Sequence, residues 1–145
     1  MILNQSVCVV IDWIRRYRLM RLHFAAELIL EIVTQQLGFE KLGAHISEKK
    51  ARIDFKSESN ISSHFDYILK KYSTIIDADK IIETGFSDEL KQRRYWRIDE
   101  FADVPCGGTH VKSTQEVGHI KLKRSHPGKS VERIEIYLLQ DNIQI

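Results

Sequence analysis

In Pro105-Cys106-Gly107-Gly108-Thr109-His110-Val111 a thiol and an imidazole stand four residues apart across two glycines. A cysteine thiolate and a neutral imidazole are ligands that zinc prefers, and glycine lets a backbone bend until two such side chains converge on one ion. Two ligands do not make a site, because zinc takes three or four. The remaining donors are expected from His23 and Glu27, since a separation of four puts both on one face of a helix with their tips close enough to share an ion. His23, Glu27, Cys106 and His110 are therefore the candidate metal ligands, and Zn2+ is the expected cofactor.

The helix that must carry the first pair is the clearest element of the chain. Asp12 is a good N-cap, the apolar-rich run from Trp13 to Leu37 holds no proline or glycine, and Gly38 sits where a helix ends in left-handed geometry. Trp13, Tyr17, Met20, Phe24, Leu28 and Ile32 recur at spacings of three and four and predict a broad core-facing stripe. His23 and Glu27 border it. A histidine in that position is more often a hydrogen-bonded core residue than a ligand, and only the second motif shifts the reading toward metal.

Around these elements the sequence predicts one α+β domain over residues 1–145, an antiparallel sheet packed against the long N-terminal helix and a second helix. Ser6 to Ile11 reads as a short apolar strand or lead-in. Gly43–Ser47 and Lys50–Lys56 form a hairpin, with Arg52 and Asp54 alternating against Ile53 and Phe55. Asn60 or Ser62 caps the second helix, which runs to about Ile76 with Ile61, Phe65, Ile68, Leu69 and Tyr72 on its apolar side. Lys80–Phe86 is a strand, Ser87 opens a short helical turn, and Tyr95–Phe101 is a strand leading into the Cys106 loop. Gly118–Arg124 and Val131–Leu139 alternate well and pair antiparallel across His126-Pro127-Gly128-Lys129.

Composition excludes several classes. The 145 residues suffice for one domain with a real core and are too few for two ordinary ones. A hydrophobic share of 43% and a charged share of 29% are those of a water-soluble globular protein, with no apolar run long enough for a bilayer and no signal-peptide pattern. A cytoplasmic location and no membrane partner are expected. Cys8 and Cys106 do not make a disulfide framework, and Cys8 reads as a small apolar strand residue. The net charge of +2 is small, but its excess gathers in Arg15, Arg16, Arg18 and Arg21 and again between Lys112 and Arg133. Both segments flank the proposed metal site, where a polyanion would be attracted.

Asp12-Trp13-x-x-Arg16-x-x-x-Met20-Arg21-x-His23, together with the distant Cys106-Gly-Gly-Thr-His110, resembles the editing domain of alanyl-tRNA synthetase. It resembles still more the free-standing alanyl-tRNA editing proteins of the AlaX type, in particular their short form; threonyl-tRNA editing domains are similar too. The likeness runs from about Asp12 to about Leu138 and includes Ala51-Arg52-Ile53-Asp54-Phe55 and Glu116-Val117-Gly118-His119-Ile120-Lys121. Two positions depart from it. The family usually has a second histidine where this chain has Glu27, and a threonine where it has Phe24.

The resemblance implies a zinc-dependent hydrolase that cleaves the ester joining serine or glycine to the end of alanine tRNA. The mischarged acceptor end would be its partner. Glu27 would then be either the fourth ligand, which its spacing favours, or a general base beside an open metal position. The amides of Gly107 and Gly108 are candidate oxyanion donors, though these glycines could equally serve only the turn. Substrate contacts are expected from Phe24, Thr109, Arg16, Arg21 and Lys121, with wider acceptor-end contacts from Arg15, Arg18, Lys112, Lys123 and Arg124. The competing reading is a non-catalytic module that binds aminoacyl-tRNA or a synthetase, its metal structural or lost.

Overall fold

A computed structural model describes residues 3–140. Asp12 is extended, and its carboxylate accepts the Arg15 amide, satisfying one of the orphan N–H groups at the start of α1 (Trp13–Ile32). The helix continues as one π-helical turn over Val33–Leu37 and stops at Gly38, whose φ of 71° is the left-handed geometry that favours glycine. Met20, Phe24, Leu28 and Ile32 are buried along it as the spacing predicts. Trp13 is 57% exposed and stacks on Tyr17 instead, because the first turn projects past the packed layers, as exposed Ile14 also shows.

The strands, in chain order, are β1 (Glu40–Ile46), β2 (Ala51–Lys56), β3 (Glu83–Asp88), β4 (Arg93–Ile98), β5 (Ala102–Pro105), β6 (Ile120–Gly128) and β7 (Val131–Leu138). They form two antiparallel sheets rather than the one expected, of order β1-β2-β7-β6 and β3-β4-β5. In the larger sheet Ala51 faces Ile136 and Ile53 faces Ile134 across the β2–β7 register, and these buried residues make the layer under α1. The opposite face carries charge. There Arg133 clasps Asp54 through two bonds of 2.6 and 2.9 Å.

The second helix begins where its cap predicts. The Asn60 side chain accepts the Ser62 amide and opens a 3-10 turn, Ile61–His64, that runs into α2 (Phe65–Asp77). A short α3 (Thr114–Val117) was not foreseen.

Three local expectations are corrected. Residues 5–12 carry no regular structure, and Val7, Val9, Val10, Ile11 and Cys8 are exposed rather than in a strand. A strand needs a neighbour for its backbone groups, and none of the described strands supplies one. Ser87 does not start a helical turn; it lies in a bulge of β3, and a turn over residues 89–92 closes the hairpin to β4. The Tyr95–Phe101 strand begins at Arg93 and ends at Ile98, and Phe101 belongs to the turn before β5, in which Glu100 takes a φ of 60°. Among the described residues no helix is long and apolar enough to cross a membrane.

Candidate metal centre

α1 and the loop after β5 bring the two sequence motifs together. The ligand atoms of His23, Cys106 and His110 all lie within 4.8 Å of one another. His23 Nε2 is 3.9 Å from Cys106 Sγ, and the rings of His23 and His110 are 5.4 Å apart. The loop is pinned from both sides. The Cys106 amide donates to the Arg94 carbonyl (3.0 Å) and so prolongs the β4–β5 ladder, while Arg16 donates to Thr109 Oγ1 (2.9 Å). Farther along, Glu116 accepts the Tyr17 hydroxyl (2.7 Å) and the Lys112 amide (3.1 Å). Burial, reinforced by Glu116, pushes the Tyr17 hydroxyl up to about 12, which keeps it a donor.

The donor set fits a zinc ion. Both ring nitrogens of His110 are shut off from solvent and have no hydrogen-bond partner among the described residues, an arrangement that costs free energy unless something binds there. Burial, helped by the charge of His23, lowers His110 to about 4 and holds it neutral, the form in which imidazole is a ligand. Burial also pushes the Cys106 thiol up and the Glu27 charge adds to this, against the opposing Gly108 amide and Arg94 charge. A divalent cation is the partner that would favour its thiolate.

The two glycines have different reasons to be there. Neither has positive φ. A Cβ on Gly108 would stand 2.8 Å from His23 Cε1, whereas one on Gly107 would meet nothing within 4 Å. The Gly108 amide is also placed to favour the Cys106 thiolate. Gly108→Ala is expected to displace His23 and cut metal affinity about 10- to 100-fold, an effect of the size seen when a ligand loses its support. Gly107→Ala is expected to leave it unchanged. Metal titration of both variants with a competing chelator checks the contrast.

Glu27 lies outside the three-residue group. Its Oε1 faces His23 Nε2 at 3.5 Å, and its Oε2 accepts Trp96 Nε1 at 3.2 Å. Burial is the strongest single influence and raises its carboxyl, but the bonds from His23 and Trp96 and the charges of His23 and His110 together prevail and hold it below the usual range. Trp96 is the residue that sequence reading missed. Its signal was an indole donor on the strand that leads to Cys106.

Two residues expected to contact substrate are buried. Phe24 is fully buried, edge-on to Trp96 (4.9 Å) and His110 (5.6 Å), and faces core. Arg21 is 1% exposed and donates to the carbonyls of Val117 (3.1 Å) and Gln140 (2.8 Å), tying α1 to the end of α3 and to the chain just past β7. Lys121 stands elsewhere, 5.5 Å from the Tyr137 ring in a separate cleft with Arg18 and Lys49. Arg16 and Thr109 do line the site, in a cavity of about 380 Å3 that His23 and Ile46 share with a second cavity of about 360 Å3 containing Ala26, Glu27 and Leu30.

Residues 96–135 match the family model described as the threonyl and alanyl tRNA synthetase second additional domain. The chain is 35% identical over 132 residues to the alanyl-tRNA editing protein AlaX-M of Pyrococcus horikoshii, covering 88% of this chain and 60% of that protein. It is 31% identical over 150 residues to AlaX-M of Methanosarcina barkeri (89% and 62%), and 27% identical over 151 residues to an alanine–tRNA ligase of Saccharolobus islandicus (86% and 16%). Over most of its own length the chain is thus similar to free-standing alanyl-tRNA editing proteins of the AlaX type. It spans about three fifths of the length of these AlaX-M relatives.

Proposed function

We propose that this chain is a zinc-dependent hydrolase that removes serine or glycine from mischarged alanine tRNA in the cytoplasm. The observation that carries the reading is the convergence of His23, Cys106 and His110 within 4.8 Å, with both His110 nitrogens buried and unbonded. Three protein ligands and an open fourth position are the arrangement of catalytic rather than structural zinc. When bound, zinc supplies Lewis acidity, which polarises an ester carbonyl and acidifies water.

The chain's own residues supply the rest. Glu27 is fixed by the Trp96 indole and stands beside the ligand group rather than in it, where it can take the proton of an attacking water. Arg16 and Thr109 hold each other at the rim of the 380 Å3 cavity and offer polar contacts to the terminal adenosine. The neighbouring cavity has a wall of Ala26, Leu30 and Ile53, which suits a small aminoacyl group. Editing of this kind is needed because a pocket shaped for alanine rejects neither glycine nor an isostere with one added hydroxyl strongly enough.

The test is zinc content and deacylation of Ser-, Gly- and Thr-charged tRNA measured on one preparation. One zinc per chain with turnover of the Ser or Gly ester is the expected result. Turnover that survives complete removal of zinc would end the metal-dependent reading, and zinc without turnover of any ester would make the chain a binding module.

A further inference from the structure

The acids of the β1–β2 hairpin are already engaged, Glu40 with Lys56 across the strands and Glu48 with Arg15 of α1, whereas Lys41 makes no ion pair among the described residues. Its position has a cause in the register. From the Ile46–Ala51 pair to the Gly43–Asp54 pair the ladder is regular, and continued unbroken it would set Lys41 against Lys56, on the outer face that also carries Arg52 and Asp54. A bulge at Leu42 shifts the strand by one residue instead, so that Lys41 stands opposite Phe55. Phe55 is fully buried, on the face of the sheet that lies under α1. One extra residue thus turns this lysine from the outer face to the side that holds the metal centre, the re-aiming that bulges beside functional sites provide.

The cavity shows the result. Lys41 lines the 360 Å3 space together with Glu27, Ala26, Leu30 and Ile53, and Ile46 stands beside His23 in both this cavity and its neighbour. Ile46 and Lys41 are five residues apart on β1, about 16 Å of strand. A glycyl or seryl group held at His23 stops well short of the ammonium, and only a longer side chain meets it. Glu27 Oε1, 3.5 Å from His23 Nε2, marks the opposite end, where the α-ammonium of a bound aminoacyl ester also lies. The cavity therefore presents a carboxylate, an apolar wall and an ammonium in that order. A glutamyl group presents an α-ammonium, two methylenes and a carboxylate, which is the complement.

We propose that Lys41 is a specificity-determining residue through which this site also takes an acidic aminoacyl group, glutamyl before aspartyl, with the side-chain carboxylate on the Lys41 ammonium. The proposal deepens the hydrolase reading, on which it rests for the placement of the ester at His23.

Calorimetric titration of the protein, with zinc added, against 3′-amino-3′-deoxyadenosine acylated by glutamate, glutamine or serine reads binding apart from turnover, because the amide resists hydrolysis. The glutamyl analogue is expected to bind about tenfold tighter than the glutaminyl one, the lower end for a bond between charged groups because Lys41 is exposed. Lys41→Gln is expected to erase that ratio and leave the seryl analogue unchanged, while Lys41→Arg keeps the preference. Equal binding of the glutamyl and glutaminyl analogues by the unmodified protein would overturn the proposal, as would binding of neither, or a Lys41→Gln loss shared by the seryl analogue. Hydrolysis of Ser-tRNA without any glutamyl preference would remove the role of Lys41 and keep the hydrolase reading. The preference in a protein that hydrolyses no ester, Glu-tRNA included, would remove the hydrolase reading and keep the selectivity of the cavity.

Discussion

Glu27→Gln is expected to lower deacylation by about 10²- to 10⁴-fold while zinc content stays at one per chain, the loss typical of a missing general base. The substitution keeps the shape of the side chain and an oxygen to accept the Trp96 indole, so the 3.2 Å bond that orients it can persist. What disappears is the capacity to take a proton. Ligation predicts a different pattern, because an amide is a poor zinc ligand and the metal would be lost along with activity. Zinc content and kcat measured on the same sample therefore decide between the two roles. The pH profile adds a second reading. Glu27 must be ionised to act as base, and its carboxyl is held below the usual range, so lowering the pH removes its contribution only below that range. Near neutral pH an inflection from this group is not expected.

Why the sequence left that choice open is visible in the geometry. Spacing of four residues correctly brings Glu27 next to His23, but spacing says nothing of what lies across from the helix. Trp96, on a strand about seventy positions away in sequence, donates to one carboxylate oxygen and fixes the group's orientation.

Where the signal is local, the residues are sufficient. Asp12 caps the amide that its position predicts, Gly38 takes the left-handed φ that ends the helix, and β6 and β7 pair antiparallel as their alternation requires. Arg21 shows where local signal runs out: a cation in a basic cluster reads as surface, yet this one is buried and donates to the carbonyls of Val117 and Gln140, which only the fold brings to it. The apolar run over Val7–Ile11 looked like a strand, and pattern alone could not show that no described strand lies beside it.

Phe24→Thr, which restores the residue the family usually carries, is expected to destabilise the fold by about 3 kcal/mol or more, the cost of truncating a buried phenylalanine. The ring is fully buried and packs edge-on against Trp96 at 4.9 Å and His110 at 5.6 Å. Threonine would leave a void there and bring a hydroxyl into a site where Trp96 already donates to Glu27, so the hydroxyl adds its own desolvation cost unless it finds a new partner. For a chain of this size the melting temperature should fall by on the order of 10 °C. Because Trp96 orients Glu27 and His110 belongs to the candidate ligand group, catalysis and metal affinity should fall with stability rather than shift toward serine. Thermal melts with and without zinc, alongside Ser- and Gly-tRNA turnover, check this. A variant that kept the wild-type melting temperature and gained turnover of the serine ester would mean that position 24 reaches substrate in solution, and that the phenylalanine marks a change of specificity instead of a repacked core.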